Sequence, residues 1–159
     1  MRTDARTFAR AATLGFAAGL RSQVPLALLA GAASRRDVAD GVAAPVGWLR
    51  DKRVAAALGF AAVGELVGDK LPATPSRIAP APLVGRMLFG GLAGGAAARF
   101  DGRSLPVGFA VGAAGAVAGS YGGYHARAWV GRETGLPDAV VAVGEDVVAV
   151  IMGIGAVRR

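Results

Sequence analysis

The chain has no cysteine, and that one absence removes disulfides, thiolate metal sites and cysteine nucleophiles together. A single histidine, His125, excludes any multi-histidine metal centre. Charge is short as well. Asp, Glu, Lys and Arg make up 18% of the 159 residues, whereas an ordinary soluble domain of this size needs roughly a quarter to cover its surface. Aromatics are 6%, too few to supply the stacking platforms of a nucleic-acid binder, and the basic residues fall in short groups between apolar stretches instead of one patch or tail. The net charge of +7 and pI near 11.2 therefore do not point to nucleic acid. No P-loop, HExxH or GxSxG pattern is present. No metal or cofactor is expected, since the acidic residues lack the spacing of metal-dependent lipid-headgroup chemistry.

What the chain does have is 53% hydrophobic residues, 25 glycines and a mean hydropathy of +0.47. The fold class these imply is all-α, a polytopic bundle of transmembrane helices in one domain. Five stretches approach the roughly 20 apolar residues that cross a bilayer: 8–33, 54–71, 82–98, 105–128 and 138–157. The first is mildly basic and then apolar, but its apolar run continues beyond any cleavage point, so it reads as a mature span and not a signal peptide. Trp48 beside a basic cluster suits the headgroup level. Between the second and third stretches, Pro72, Pro75, Pro80 and Pro82 exclude a helix, leaving either a stiff interfacial loop or a re-entrant segment over 71–82. Glycines recur every fourth residue at Gly15 and Gly19, Gly64 and Gly68, Gly90 and Gly94, and Gly115, Gly119 and Gly123, which predicts close helix packing.

The charges inside these stretches carry the functional reading. Glu65 and Asp69 share a face of the second stretch, with Lys70 at its end. Arg21 lies within the first stretch, Arg86 within the third, and Glu145 and Asp146 side by side within the fifth. A carboxylate at the centre of a membrane helix costs about 3 kcal/mol, so these groups must be paired, protonated or hydrated, and a central ion-pair cluster is the simplest solution. Glu145 and Asp146 point about 100° apart and cannot both face one partner squarely. His125, near Tyr121, Tyr124 and Arg127, is either an interfacial anchor or a titrating group at the mouth of a polar path.

The motifs GELVGDKLP, PLVG, GGYHAR and GEDVVAV, in that order, resemble a bacterial membrane-protein family catalogued as domain of unknown function 4126. The resemblance spans about residues 10–157 and matches Glu65, Asp69, Lys70 and Pro72 to its first motif, His125 to its third, and Glu145 and Asp146 to its last. Family members often carry Arg directly before the Pro-Leu-Ala-Gly motif, where Ala81 stands in this chain. The resemblance implies an integral protein of the bacterial cytoplasmic membrane and supplies no activity.

Intramembrane ionisable residues are by default a pathway hypothesis. The leading expectation is transport of an ion or small solute, proton-linked, along Arg21, Glu65, Asp69, Lys70, Arg86, His125, Glu145 and Asp146. The alternatives are an intramembrane enzyme on a lipid or phosphate ester, and a packing protein without transport. The expected partners are the lipid bilayer and a second copy of the chain. With five spans, basic residues divide seven against nine between the two sides, which leans towards an external N-terminus and an internal C-terminus and permits insertion in both orientations.

Overall fold

The structure, a computed structural model, describes residues 2–35, 46–68, 76 and 78–158. Asp69, Lys70 and nearly all of the Pro-rich connection lie outside the described residues, so the re-entrant reading of 71–82 falls there too. Among the described residues the chain is all helical: α1 (Arg2–Leu20), α2 (Val24–Ala33), a 3-10 turn (Gly47–Arg50), α3 (Lys52–Gly68), α4 (Pro80–Phe100), α5 (Leu105–Thr134) and α6 (Asp138–Val157).

Local chemistry sets these limits. Pro80 and Pro82 sit in the first turn of α4, and Pro106 in that of α5, where a missing N–H costs nothing. Gly102 and Gly135 take the left-handed conformation that ends α4 and α5, at φ 71° and 65°. The largest departure from expectation is in the first apolar stretch, which is not one helix over 8–33 but two. Pro25 would have to give up its N–H and press on the carbonyl of Arg21 if a single helix ran through. The chain instead breaks at Arg21–Ser22–Gln23 and restarts with Pro25 in the first turn of α2.

The break is a reversal. Arg10 reaches Ala156 and Arg21 reaches Asp146, so α1 runs antiparallel to α6. Gly153 meets Leu28 and Pro25, so α2 runs parallel to α6 and back along α1. The N-terminal segment, the α4–α5 corner and the C-terminus then lie at one end of the bundle, fixed by Arg103–Asp4 and Arg10–Asp101, both at 3.0 Å. Five spans would put the termini on opposite sides. The six helices alternate in direction and bring them together.

Basic residues divide unevenly between the two ends of the bundle. Among the described residues Arg6, Arg10, Arg35, Arg50, Lys52, Arg53, Arg99, Arg103 and Arg158 lie at the end that holds the termini, and only Arg127 and Arg132 at the other.

The core is a trio of α1, α4 and α5 packed backbone to backbone. A Cβ on Gly15 would run into the Gly112 carbonyl, one on Gly119 into the Phe16 carbonyl, and one on Gly94 would stand 2.6 Å from the Gly108 oxygen. The expected glycine faces of these helices are real contacts. Gly64 and Gly68 differ: among the described residues nothing outside their own helix backbone lies within 4 Å of where their Cβ would be. Their helix, α3, packs on α2 and the 3-10 turn and buries only Ala62.

Two helices, α5 and α6, are both long and apolar enough to cross a membrane. Only 28% and 22% of their most apolar windows are buried, which is not how the core helix of a soluble protein behaves. Exposed apolar residues continue around the bundle on α3 (Phe60, Val63, Val67) and α4 (Val84, Leu88, Leu92). A helical bundle with so much apolar surface turned outward has the surface of a membrane protein.

Candidate functional site

A break in a helix orphans backbone groups on both sides of it, and inside a bundle each orphan must find a partner. Most partners here are side chains from other helices. On the carbonyl side, Arg86 of α4 donates from Nη1 to Gly19 O at 3.0 Å and to Leu20 O at 2.9 Å, and Ser120 of α5 donates to Gly19 O at 3.3 Å. On the amide side, Glu65 of α3 accepts from Ser22 N at 2.7 Å and from the Ser22 hydroxyl on Oε1, and from Gln23 N at 2.8 Å on Oε2. Arg21, within the break, donates from Nε to the Asp146 carboxylate of α6 and from Nη1 to Leu20 O.

The signs follow the helix dipoles. A cation meets the carbonyl end of α1 and an anion meets the amide end of α2, the arrangement that aligned peptide dipoles favour. Burial strengthens both interactions by excluding water. Arg21 is 1% exposed and Arg86 6%, and Ser120 is fully buried. The site lies at the level of Ser120, about halfway along α5, a 30-residue helix of about 45 Å.

The expected central cluster is thus partly an ion-pair cluster and partly something else. Arg21, Glu65, Arg86 and Asp146 come together around the break. Arg21 pairs directly with Asp146, and Glu65 binds main-chain amides and a hydroxyl. Glu145 turns away from Asp146 to Arg127 at 3.8 Å, as the 100° between neighbouring helical positions requires. Arg127 also holds Asp138 across the α5–α6 hairpin, with Nε 2.7 Å from Oδ1. His125 is exposed, its ring edge-on to Tyr124 with centroids 5.3 Å apart, and is not part of the site. Asp69 and Lys70 lie outside the described residues.

Ser22, Gln23 and Ser120 were not singled out by sequence reasoning. The available signal was Arg-Ser-Gln two residues before a proline in an otherwise apolar run, a combination that ends helices. Ser120 has no such signal, because its role depends on which helix lies opposite. Among the described residues no three His, Asp or Glu side chains form a group that could hold a metal ion.

No curated protein and no solved structure matches the chain. A family model described as Domain of unknown function (DUF4126) matches residues 8–158, and with almost the whole length covered the chain belongs to that family.

Proposed function

We propose that this is a multi-pass membrane protein that moves an ion or small solute, with Glu65 as the group whose protonation couples to the movement. One observation carries the reading: the reversal between α1 and α2 is held by ionisable side chains from α3, α4 and α6. A bundle needing only mechanical strength satisfies its backbone most cheaply by keeping the helix continuous. Discontinuous helices whose ends face charged groups near mid-depth are a recurring design of transport sites. Here protonation of Glu65 would weaken its hold on the amides of Ser22 and Gln23. α3, with one buried residue, would then be the element freed to move.

The membrane arrangement in this reading has an even number of passes, since the termini share an end. The arginine-rich end faces the cytoplasm of a bacterial cell, by the bias of basic residues to the inner side. The exposed face of α3, with Phe60, Val63, Gly64 and Val67, supplies a surface for a second copy, and mass measurement in lipid nanodiscs tests that dimer.

The test of transport is current measurement on proteoliposomes adsorbed to a solid-supported membrane, challenged with a panel of inorganic ions and small organic acids, bases and sugars. The reading expects a current with at least one of these that protein-free vesicles lack and that Glu65→Gln abolishes. Silence across the panel, or a current unchanged by Glu65→Gln, would count against it. Turnover of a phosphate ester or lipid by the wild-type chain would favour the enzyme alternative.

A further inference from the structure

Apart from the broken helix, the molecule has a cleft of about 830 Å³ at its basic end, between the first half of α1 and the last half of α6. Its back wall is fixed. Arg10 donates from Nε to Ala156 O at 2.6 Å and from Nη1 to both oxygens of Asp101 at 3.0 and 3.1 Å, and Thr7 donates to the same carboxylate at 3.2 Å. Arg6 and Arg158 stand on the two sides of the mouth, both exposed, and among the described residues neither guanidinium is engaged in a hydrogen bond or ion pair. The inner end of the cleft is lined by Thr13 and Met152. Three arginines against one aspartate leave the cleft positive, and the two at the mouth can turn their donors inwards without breaking any existing contact.

We propose that this cleft binds a phosphate group, and specifically the headgroup of an anionic phospholipid. Guanidinium groups present paired donors that match phosphate oxygens. Basic pockets between membrane helices at the inner surface recognise anionic headgroups by this chemistry. The choice of lipid over a soluble phosphate rests on what adjoins the cleft. Val147, Val148 and Ile151, exposed at 51%, 48% and 63%, form an apolar track on α6 that leads inwards from Met152 towards mid-depth. A headgroup held between Arg6 and Arg158 has its acyl chains laid on that track. The assignment rests on the bundle lying in a membrane and does not depend on transport.

Native mass spectrometry of the full chain, released from detergent with equal amounts of phosphatidylglycerol and phosphatidylcholine, tests the proposal. The wild-type chain is expected to retain phosphatidylglycerol preferentially. At about fivefold for each basic residue near a headgroup, the Arg6→Gln/Arg158→Gln double variant is expected to lose about 30-fold of that preference. Both side chains are exposed, so the variant keeps the fold, which the elution profile and helical circular dichroism check. Arg132→Gln, at the opposite end, is expected to leave the preference intact. A parallel thermal-shift titration with inorganic phosphate identifies the source. Saturable stabilisation by phosphate that the double variant loses, with no lipid preference, overturns the lipid assignment in favour of a soluble ligand. Equal retention of the two lipids without such stabilisation, or a loss that Arg132→Gln reproduces, overturns the site altogether.

Discussion

Glu65→Gln is the sharpest perturbation of the break, because it keeps the shape of the side chain and changes only its hydrogen-bonding capacity. Both carboxylate oxygens are in use: Oε1 accepts from the amide and hydroxyl of Ser22, and Oε2 accepts from the amide of Gln23. A glutamine has one acceptor oxygen and one NH2. The better of its two orientations keeps the oxygen on Ser22 and turns its NH2 against the Gln23 N–H, donor facing donor. An orphaned buried amide costs about 1–3 kcal/mol, and the bonds that survive lose the roughly twofold strength that charge lends them. Neutralising a half-buried carboxylate gives back part of this. The net local cost is about 2–4 kcal/mol.

That cost appears as faster hydrogen exchange at one place. A free-energy loss of about 2–4 kcal/mol raises exchange at the amides of Ser22 and Gln23 by about 30- to 1,000-fold, since 1.4 kcal/mol is a factor of ten. Exchange measured by mass spectrometry on peptides covering 18–28 reads this directly, with a peptide from the packed centre of α5 as internal control. Ser22→Ala, which removes the hydroxyl and leaves the carboxylate, is expected to give only about tenfold, from the loss of about 1–1.5 kcal/mol. Unchanged protection at Ser22 and Gln23 in folded Glu65→Gln protein would refute the claim that the carboxylate holds the break.

The glycines give a prediction of sign. Gly94→Ala and Gly115→Ala put a Cβ 2.6 Å from the backbone oxygens of Gly108 and Ala12, which are not free to move, and each is expected to destabilise by about 1–3 kcal/mol in thermal unfolding. Gly64→Ala meets open space and is expected to be neutral or to gain up to about 1 kcal/mol, so equal effects at all three positions would contradict the packing. Asp146→Asn removes the carboxylate charge facing Arg21, which is 1% exposed, and is expected to cost about 3 kcal/mol. The double variant Arg21→Met/Asp146→Leu is expected to recover most of that loss, and a double variant worse than the single would argue against a buried pair. Reporter fusions at the two termini are expected to be active on the same, cytoplasmic side, and activity on opposite sides would overturn the alternating arrangement of six helices.

Some of this arrangement is legible in the residues alone. The starts of α5 and α6 can be read because 105–124 carries no charge and Gly135 and Pro137 punctuate the turn between them. The packed faces of α1, α4 and α5 can be read from glycines at every fourth position. On α3 the same spacing specifies a smooth face and is silent on which helix covers it. The reversal at Arg21–Ser22–Gln23 is hidden for a similar reason. Hydropathy counts apolar residues and has no direction, so a 26-residue stretch that folds back on itself scores like one that runs straight through.

How the charges around the break are satisfied bears on how such clusters should be read. Ion pairing alone would set Glu65, Asp69, Glu145 and Asp146 against Arg21, Arg86 and Lys70. Main-chain groups are partners too. Once α1 ends at Leu20, two carbonyls and two amides in the bundle interior demand a donor and an acceptor as strictly as any side chain does. Arg86 and Glu65 meet those demands at opposite ends of one break, so each is compensated without touching the other. Charges inside an apolar bundle can therefore answer broken backbone as well as opposite charge. A cation on the carbonyls and an anion on the amides match the two ends of the break.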